Sequence, residues 1–283
     1  MANGRRAGQI VSAPNRVVLI TGASSGIGQA CAEQLSKSGW RVFGTSREAP
    51  PVPALDGLFT MLRMDVTDTS SVEAALRFVM EREGRVDAVI NNAGIALAGA
   101  VEDTTLDEGR IVWETNFIGV ARVCRAVLPA LRASRGCVIN VSSLGGLVAL
   151  PFQAFYSASK FALEGYTEAL RAEVREHGVR VILVEPGDFQ TGMTAQRRIA
   201  LAAAESAVYG TAFKTALEII SKNEQRGSSP EKIGRLVERI LTESNPKCRY
   251  RTGSAIELLL MRIYDWLPES MAAWTMRKYY GLR

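Results

Sequence analysis

The chain predicts an α/β fold, a doubly wound and mainly parallel sheet with helices on both faces. Two observations carry that expectation. Short apolar, β-branched runs alternate with longer helical stretches from Arg16 to Thr252. The first run ends in a glycine-rich turn that leads straight into a helical pattern, the order that opens a right-handed parallel crossover. With 283 residues, 47% of them hydrophobic and 22% charged, the chain can fill one domain of this class.

The first strand is expected over Arg16–Ile20 (RVVLI), too apolar for anything but a buried position. TGASSGIG follows at Thr21–Gly28, then a helix through Gln29–Leu35. Later strands are expected over Arg41–Ser46, Phe59–Val66, Val86–Asn91, Cys137–Ser142 and Val179–Glu185, with a short one near Tyr250–Thr252. Helices fall between them over Ser70–Glu83, Leu106–Arg132 and Ala154–Glu176. The clearest loop is Gly227-Ser228-Ser229-Pro230, before another helix at Glu231–Thr242. Met1–Asn15 is polar, basic at Arg5 and Arg6, and lacks the apolar core of a signal peptide, so a disordered tail is expected there. Ala255–Tyr280 alternates apolar and charged positions and carries Trp266 and Trp274. Core or interface packing is the favoured expectation for it. A cleft lid comes second, and peripheral membrane contact third.

Charge narrows the function. The net charge is +5, but Lys and Arg are dispersed, which excludes a nucleic-acid interface and leaves a mild attraction for an anionic cofactor. Cys31, Cys124, Cys137 and Cys248 form no C-x-x-C pair, so neither disulfides nor a metal site are expected, and a cytoplasmic location fits. His177 is the only histidine and sits at a helix end, so a histidine-based triad would have to use that residue.

Two groups of residues carry chemistry. Gly22, Gly26 and Gly28 follow a strand and open a helix, where a turn can approach a pyrophosphate and the helix N-terminus offers N–H groups. Tyr156 and Lys160 stand four apart in YSASK, one above the other on a helix face. A nearby ammonium favours the phenolate, so the lysine is expected to lower the tyrosine pKa from its ordinary value of about 10.

Six motifs then agree. They are TGASSGIG, NNAG at Asn91–Gly94, Asn116 in ETNFIGV, Ser143 in INVSS, YSASK at Tyr156–Lys160, and EPGDFQT at Glu185–Thr191. Their order, and the thirteen-residue step from Ser143 to Tyr156, resemble the classical short-chain dehydrogenase/reductase family over roughly Arg16 to Thr194. The stretch around YSASK resembles the branch of 17-beta-hydroxysteroid and retinol dehydrogenases. The resemblance implies a Rossmann-type fold with a seven-stranded sheet in a single domain over 16–254, a substrate-side helical insertion at about 190–228, and a C-terminal helical extension over 255–283. It makes Tyr156 the general acid or base and Lys160 the residue that tunes it and holds the nicotinamide ribose. Ser143 steadies the substrate oxygen, and Asn116 holds a water behind Lys160. Gly22, Ser25, Gly26, Ile27 and Gly28 would cradle the pyrophosphate, Ser24 would donate to a 2′-phosphate, and Asp65 and Val66 would face the adenine. Asn92, Ala93 and Gly94 would line the ribose, and Pro186, Gly187 and Thr191 the nicotinamide. A homodimer or homotetramer through Leu106–Arg132 and Ala154–Glu176 is also implied.

Cofactor choice rests on the end of the second strand. Ser46 stands where an acid would accept a ribose 2′-hydroxyl, and Arg47 follows, suited to a 2′-phosphate. Glu48 alongside weakens that pull. NADP(H) is expected over NAD(H). Leu97, Leu147, Val148, Leu150, Phe152 and Phe155, with Ile199, Leu201, Val208, Tyr209, Phe213, Leu217 and Ile220, suggest an apolar cleft with few charges. The expected substrate is therefore an apolar ketone or secondary alcohol, steroid-, retinoid- or aliphatic-like. A non-catalytic NADP(H)-sensing regulator and a sugar-nucleotide epimerase or dehydratase are the alternatives.

Overall fold

A computed structural model of the chain describes residues 16–56, 58–192 and 197–282. The tail expected at Met1–Asn15 and the end of the resemblance at Thr194 lie outside the described residues.

Strand β1 (Val17–Thr21) is fully buried, as its β-branched run requires. It pairs in parallel with β2 (Arg41–Ser46) on one side and β5 (Ala88–Asn91) on the other. From β2 the sheet continues to β4 (Phe59–Arg63), and from β5 to β7 (Cys137–Val141), β8 (Arg180–Pro186) and β10 (Arg249–Thr252). All of these neighbours are parallel, which gives the seven parallel strands expected. An eighth, β3 (Ala54–Asp56), pairs antiparallel with β4 at the edge. The prolines at 50, 51 and 53 hide it in the sequence; proline is compatible with sheet edges alone. Apart from the main sheet, β6 (Leu97–Ala98) pairs with β9 (Arg198–Ile199).

The sheet buries both faces because successive side chains point to opposite sides. Val17 and Leu19 join the core under α2 (Thr69–Glu83), α4 (Gly119–Ser134) and α5 (Ala154–Val174). Val18 and Ile20 join the core under α1 (Gly26–Lys37) and α7 (Glu231–Thr242).

The helix expected over Leu106–Arg132 is three pieces. α3 (Leu106–Trp113) runs into a π-helical turn at Glu114–Ile118, and α4 follows. Pro129 lies inside α4 without ending it. Beyond β9 come α6 (Gly210–Gln225), then α7, then α8 (Ala255–Tyr264) and α9 (Glu269–Tyr279). α8 buries none of its residues, whereas Ala272 of α9 and Tyr280 just beyond it are buried. No described helix is long and apolar enough to cross a membrane.

Because β1 feeds a helix on one face and β5 feeds helices on the other, the order in which strands are added reverses between these two parallel strands. Open α/β sheets bind ligands in the crevice at such a point, beyond the carboxyl ends of the strands.

Candidate active site

Two loops meet at that crevice. The glycine turn after β1 takes positive φ at Gly22 (67°) and Gly26 (56°), conformations that glycine adopts without strain. Asn92, just past β5, clamps the turn. Its Nδ2 donates to the Thr21 and Gly22 carbonyls at 3.0 Å each. Thr21 Oγ1 in turn accepts the backbone N–H groups of Asn92 and Ala93 at 2.9 Å. Gly28 lies beneath, where a Cβ would stand 2.2 Å from the Gly22 carbonyl oxygen. Ser25 precedes α1 without a side-chain cap, so the helix presents its first N–H groups past Ser24 and Ser25, both exposed. Thr191 reaches the same turn, since a Cβ on Gly26 would lie 3.2 Å from its Cβ. A glycine cradle beneath an uncapped helix start fits the pyrophosphate of a dinucleotide.

The adenosine end is more plainly structural. Asp65 Oδ1 accepts from Thr67 N at 2.9 Å and Thr67 Oγ1 at 2.8 Å, a local turn. Val66 packs against Gly119, where a Cβ would come within 2.9 Å of it. Arg47 is exposed and makes no ion pair among the described residues, while Ser46 Oγ accepts the Glu48 N–H at 3.2 Å.

The candidate catalytic groups come from the turn after β7, the first turns of α5 and the π-helical turn before α4. Ser143 Oγ accepts the Gly145 N–H at 3.0 Å at the head of a short 3-10 turn. Tyr156 lies in the first turn of α5, buried and hydrogen-bonded to Ser143. Lys160, one turn on and also buried, holds its Nζ 5.9 Å from the Tyr156 ring centroid and donates to the Val141 carbonyl at 3.0 Å. Asn116 is fully buried at the π-helical turn. Its Oδ1 accepts Ile95 N at 2.8 Å, and its Nδ2 donates to Ile95 O at 2.9 Å and Ser159 Oγ at 3.1 Å. Gly94 keeps space open beside them, because a Cβ there would lie 3.3 Å from Asn116 Oδ1 and 3.8 Å from Lys160 Nζ.

The direction of the tyrosine shift corrects the sequence reading. Burial pushes the Tyr156 phenol above its ordinary range, with the Ser143 hydrogen bond pulling the other way, Glu224 and Asp188 adding to the rise, and Arg197 opposing it. Burial also lowers Lys160 to about 8, partly opposed by Glu164. Taking a charge out of water outweighs the pairing of phenol and ammonium, which do not touch directly.

One cavity of about 350 Å³ contains this arrangement. Ile27, Asn92, Gly94, Pro186, Gly187 and Thr191 line it next to the glycine turn, together with Ser143, Tyr156 and Lys160. The family model for short chain dehydrogenases matches residues 16–202. The chain belongs to the short-chain dehydrogenase family. It is an oxidoreductase. It is 43% identical over 269 residues to a 3-ketodihydrosphingosine reductase of Bacteroides thetaiotaomicron, across 95% of this chain and 99% of that one. An uncharacterized oxidoreductase of Bacillus subtilis, YusZ, is 32% identical over 89% of this chain and 94% of its own. Among solved structures, a short-chain dehydrogenase of Streptomyces avermitilis superposes with a TM-score of 0.78 at 31% identity, covering 95% of this chain and 98% of that one.

On the substrate side of this short-chain dehydrogenase the apolar cleft is only partly the one expected. Val148, Leu150 and Ile220 line the cavity. Leu97, Phe152, Phe155, Phe213 and Leu217 pack together in a separate apolar cluster, and Leu201 and Val208 are exposed. The remaining apolar wall comes from the C-terminal helices, through Leu260, Ile263, Leu267 and Met276. The expectation of few charges also needs correction, since Asp188, Glu224 and Glu257 line the same cavity. Asp188 had a sequence signal, directly after Pro186-Gly187. Glu224 and Glu257 sit in unremarkable helical stretches and had none.

The Asn116 contacts make a quantitative prediction. Asn116→Ala leaves the half-buried Ile95 N–H and C=O unpaired, which is expected to lower stability by roughly 1–3 kcal/mol. Urea unfolding of the two proteins measures it, and a difference well under 1 kcal/mol would mean that the π-helical turn is held by other contacts.

Proposed function

We propose that this short-chain dehydrogenase is an NADPH-dependent reductase of a long-chain ketone, with the corresponding secondary alcohol as product. One observation carries the reading. A single cavity joins Ser143 and Tyr156 to an apolar wall from α6, α8 and α9, large enough to take an alkyl chain. The likeness to a 3-ketodihydrosphingosine reductase over nearly the whole of both chains supports that substrate class.

When bound, a reduced nicotinamide supplies the hydride. The chain's residues do the rest. Ser143 donates a hydrogen bond to the carbonyl oxygen and steadies the charge that develops there. Tyr156 gives that oxygen its phenolic proton, so hydride plus proton turn C=O into CH–OH. Lys160, below the tyrosine, would hold the nicotinamide ribose hydroxyls and restore the proton, with Asn116 behind it. The intact set of Asn116, Ser143, Tyr156 and Lys160 favours turnover over a silent sensor. Asp188, Glu224 and Glu257 in the cavity would repel the diphosphate of a sugar nucleotide, which counts against an epimerase.

Arg47, exposed at the end of β2 with Ser24 and Ser46 near the same edge, supports NADP(H). Arg47→Asp is expected to swing the NADPH-to-NADH ratio of kcat/KM by about 100-fold, through loss of a charge-assisted bond and gain of a repulsion. An unchanged ratio would remove Arg47 from cofactor choice. Ile111 and Trp113 on α3 and Phe161 on α5 remain 42%, 40% and 44% exposed, which supports self-association through these helices.

The direct test is NADPH consumption with long-chain ketones, steroid ketones and retinal, with NADH in parallel. Preferential reduction of the alkyl ketones with NADPH is the expected result. Bound dinucleotide without turnover of any long-chain ketone would defeat the reading.

A further inference from the structure

The cavity holds more negative charge than carbonyl reduction requires. Asp188, Glu224 and Glu257 all face it, on three separate elements. Glu224 is ion-paired with Arg197, whose side chain is almost fully buried. Glu257 accepts the backbone N–H of Asp188 at 2.7 Å and of Ser254 at 2.6 Å, where it completes the cap of α8. Lys160, the cation that lines the cavity among the described residues, is turned to the Val141 carbonyl. No cation pairs with Asp188 among the described residues; its carboxyl meets the Glu257 carboxylate instead. Glu257 is compensated by the Asp188 and Ser254 N–H groups and by the start of α8, whereas the Asp188 carboxyl lies against another acid beside an apolar wall with no ion pair of its own among the described residues. Such an arrangement in a reaction cavity is relieved by a cationic ligand.

Asp188 is also held rigidly. Its N–H is fixed by Glu257, and its carbonyl accepts the Ser228 N–H at 2.9 Å. It directly follows Pro186 and Gly187 on the nicotinamide side of the cavity, and it lies close enough to Tyr156 to disfavour the phenolate. A group bound to Asp188 would therefore stand near the carbon that reacts.

We propose that Asp188 determines specificity by binding a protonated amine next to the reacting carbonyl, so that the substrate is a long-chain amino ketone. The proposal rests on the reductase reading and narrows it. The ammonium pairs with Asp188 while Leu150, Ile220, Leu260 and Met276 take the alkyl chain.

The groups facing Asp188 give the assignment a pH signature. They are Glu257 on α8, Glu224 on α6, Arg197 before β9, and Tyr279 and Tyr280 at the end of α9; Tyr156 on α5 feels its charge as well. Burial raises the Asp188 carboxyl to about 7, with Glu257 and Glu224 adding to the rise and Arg197 opposing it. Above that value Asp188 is a carboxylate and can hold an ammonium. Below it the carboxyl is neutral.

The test compares 3-ketodihydrosphingosine, a long-chain 2-amino ketone, with its neutral N-acetyl derivative and with a plain alkyl ketone. In the native protein kcat/KM for the amine is expected to exceed that for the N-acetyl compound by about 10- to 100-fold, the range of a charged hydrogen bond. Asp188→Asn is expected to collapse that ratio towards one, and the ratio cancels any loss common to both substrates. Equal use of the two compounds by the native protein would overturn the amine assignment and leave the reductase reading standing. A ratio that survives in Asp188→Asn would overturn the role of Asp188. If no ketone is reduced, the reductase reading fails instead. Binding then decides the amine question separately, as it does if the variant does not fold. In the native protein with NADPH, dihydrosphingosine should outbind N-acetyldihydrosphingosine, by a factor that grows as pH rises through the Asp188 value. Absence of that preference, or a factor flat with pH, would overturn the proposal.

Discussion

Tyr156→Phe loses about 10³-fold in turnover, within the range of general acid catalysis, while NADPH still binds. The phenol is the proton source the cavity offers at the carbonyl oxygen. Its raised pKa keeps it protonated through the neutral range, the state that a donor to a carbonyl must have. Phenylalanine keeps the ring packed beside Gly145, where a glycine Cβ would lie 3.2 Å from the tyrosine edge, so the substitution removes the hydroxyl alone. The lost hydrogen bond to Ser143 costs stability only on the order of 1 kcal/mol. Ser143 does not replace the tyrosine, because a serine hydroxyl gives up its proton far less readily. Single-turnover rates with a long-chain ketone, set beside an NADPH titration, measure both halves. Turnover within tenfold of the native protein would show that the proton comes from elsewhere.

Gly28→Ala weakens dinucleotide binding by about two orders of magnitude, near 3 kcal/mol. Helix propensity argues the other way, since alanine in a helix is worth up to about 1 kcal/mol over glycine. Sterics decide. A Cβ at Gly28 would stand 2.2 Å from the Gly22 carbonyl oxygen and 2.5 Å from Asn92 Nδ2. The atom it meets first is backbone, so the turn itself has to move. Movement breaks the two Asn92 bonds that clamp the turn, each worth about 1 kcal/mol net, and tilts the uncapped N–H groups of α1 away from the phosphates. Gly165→Ala is the control. Nothing lies within 4 Å of a Cβ there, in the exposed interior of α5, so that variant gains roughly 0.5–1 kcal/mol. Titration with NADPH and thermal unfolding of both variants separate a cofactor effect from a folding one. Unchanged affinity in Gly28→Ala would mean that the turn yields without losing its shape.

Much of this site was legible because its determinants are local. The strand–turn–helix order around TGASSGIG is a matter of neighbouring residues, and so is the single helical turn between Tyr156 and Lys160. The seven parallel strands followed from alternation of short β-branched runs with helical stretches. Each of these signals spans a few residues, and backbone geometry alone converts it into structure.

The tertiary structure decided the rest, and in each case the reason is a contact between distant parts of the chain. The π-helical turn at Glu114–Ile118 breaks a stretch that reads as continuous helix, because Asn116 bonds the backbone of Ile95, twenty-one residues earlier. The tyrosine pKa moves up instead of down because burial, a property of the assembled cavity, outweighs a lysine placed correctly by spacing. The acidic side of the cavity is gathered from Asp188, Glu224 and Glu257, three residues on separate elements. Sequence by itself set the fold class and the one-turn spacing of Tyr156 and Lys160 through local periodicity. The charge and shape that choose a substrate arose only where packing brought distant side chains out of water together.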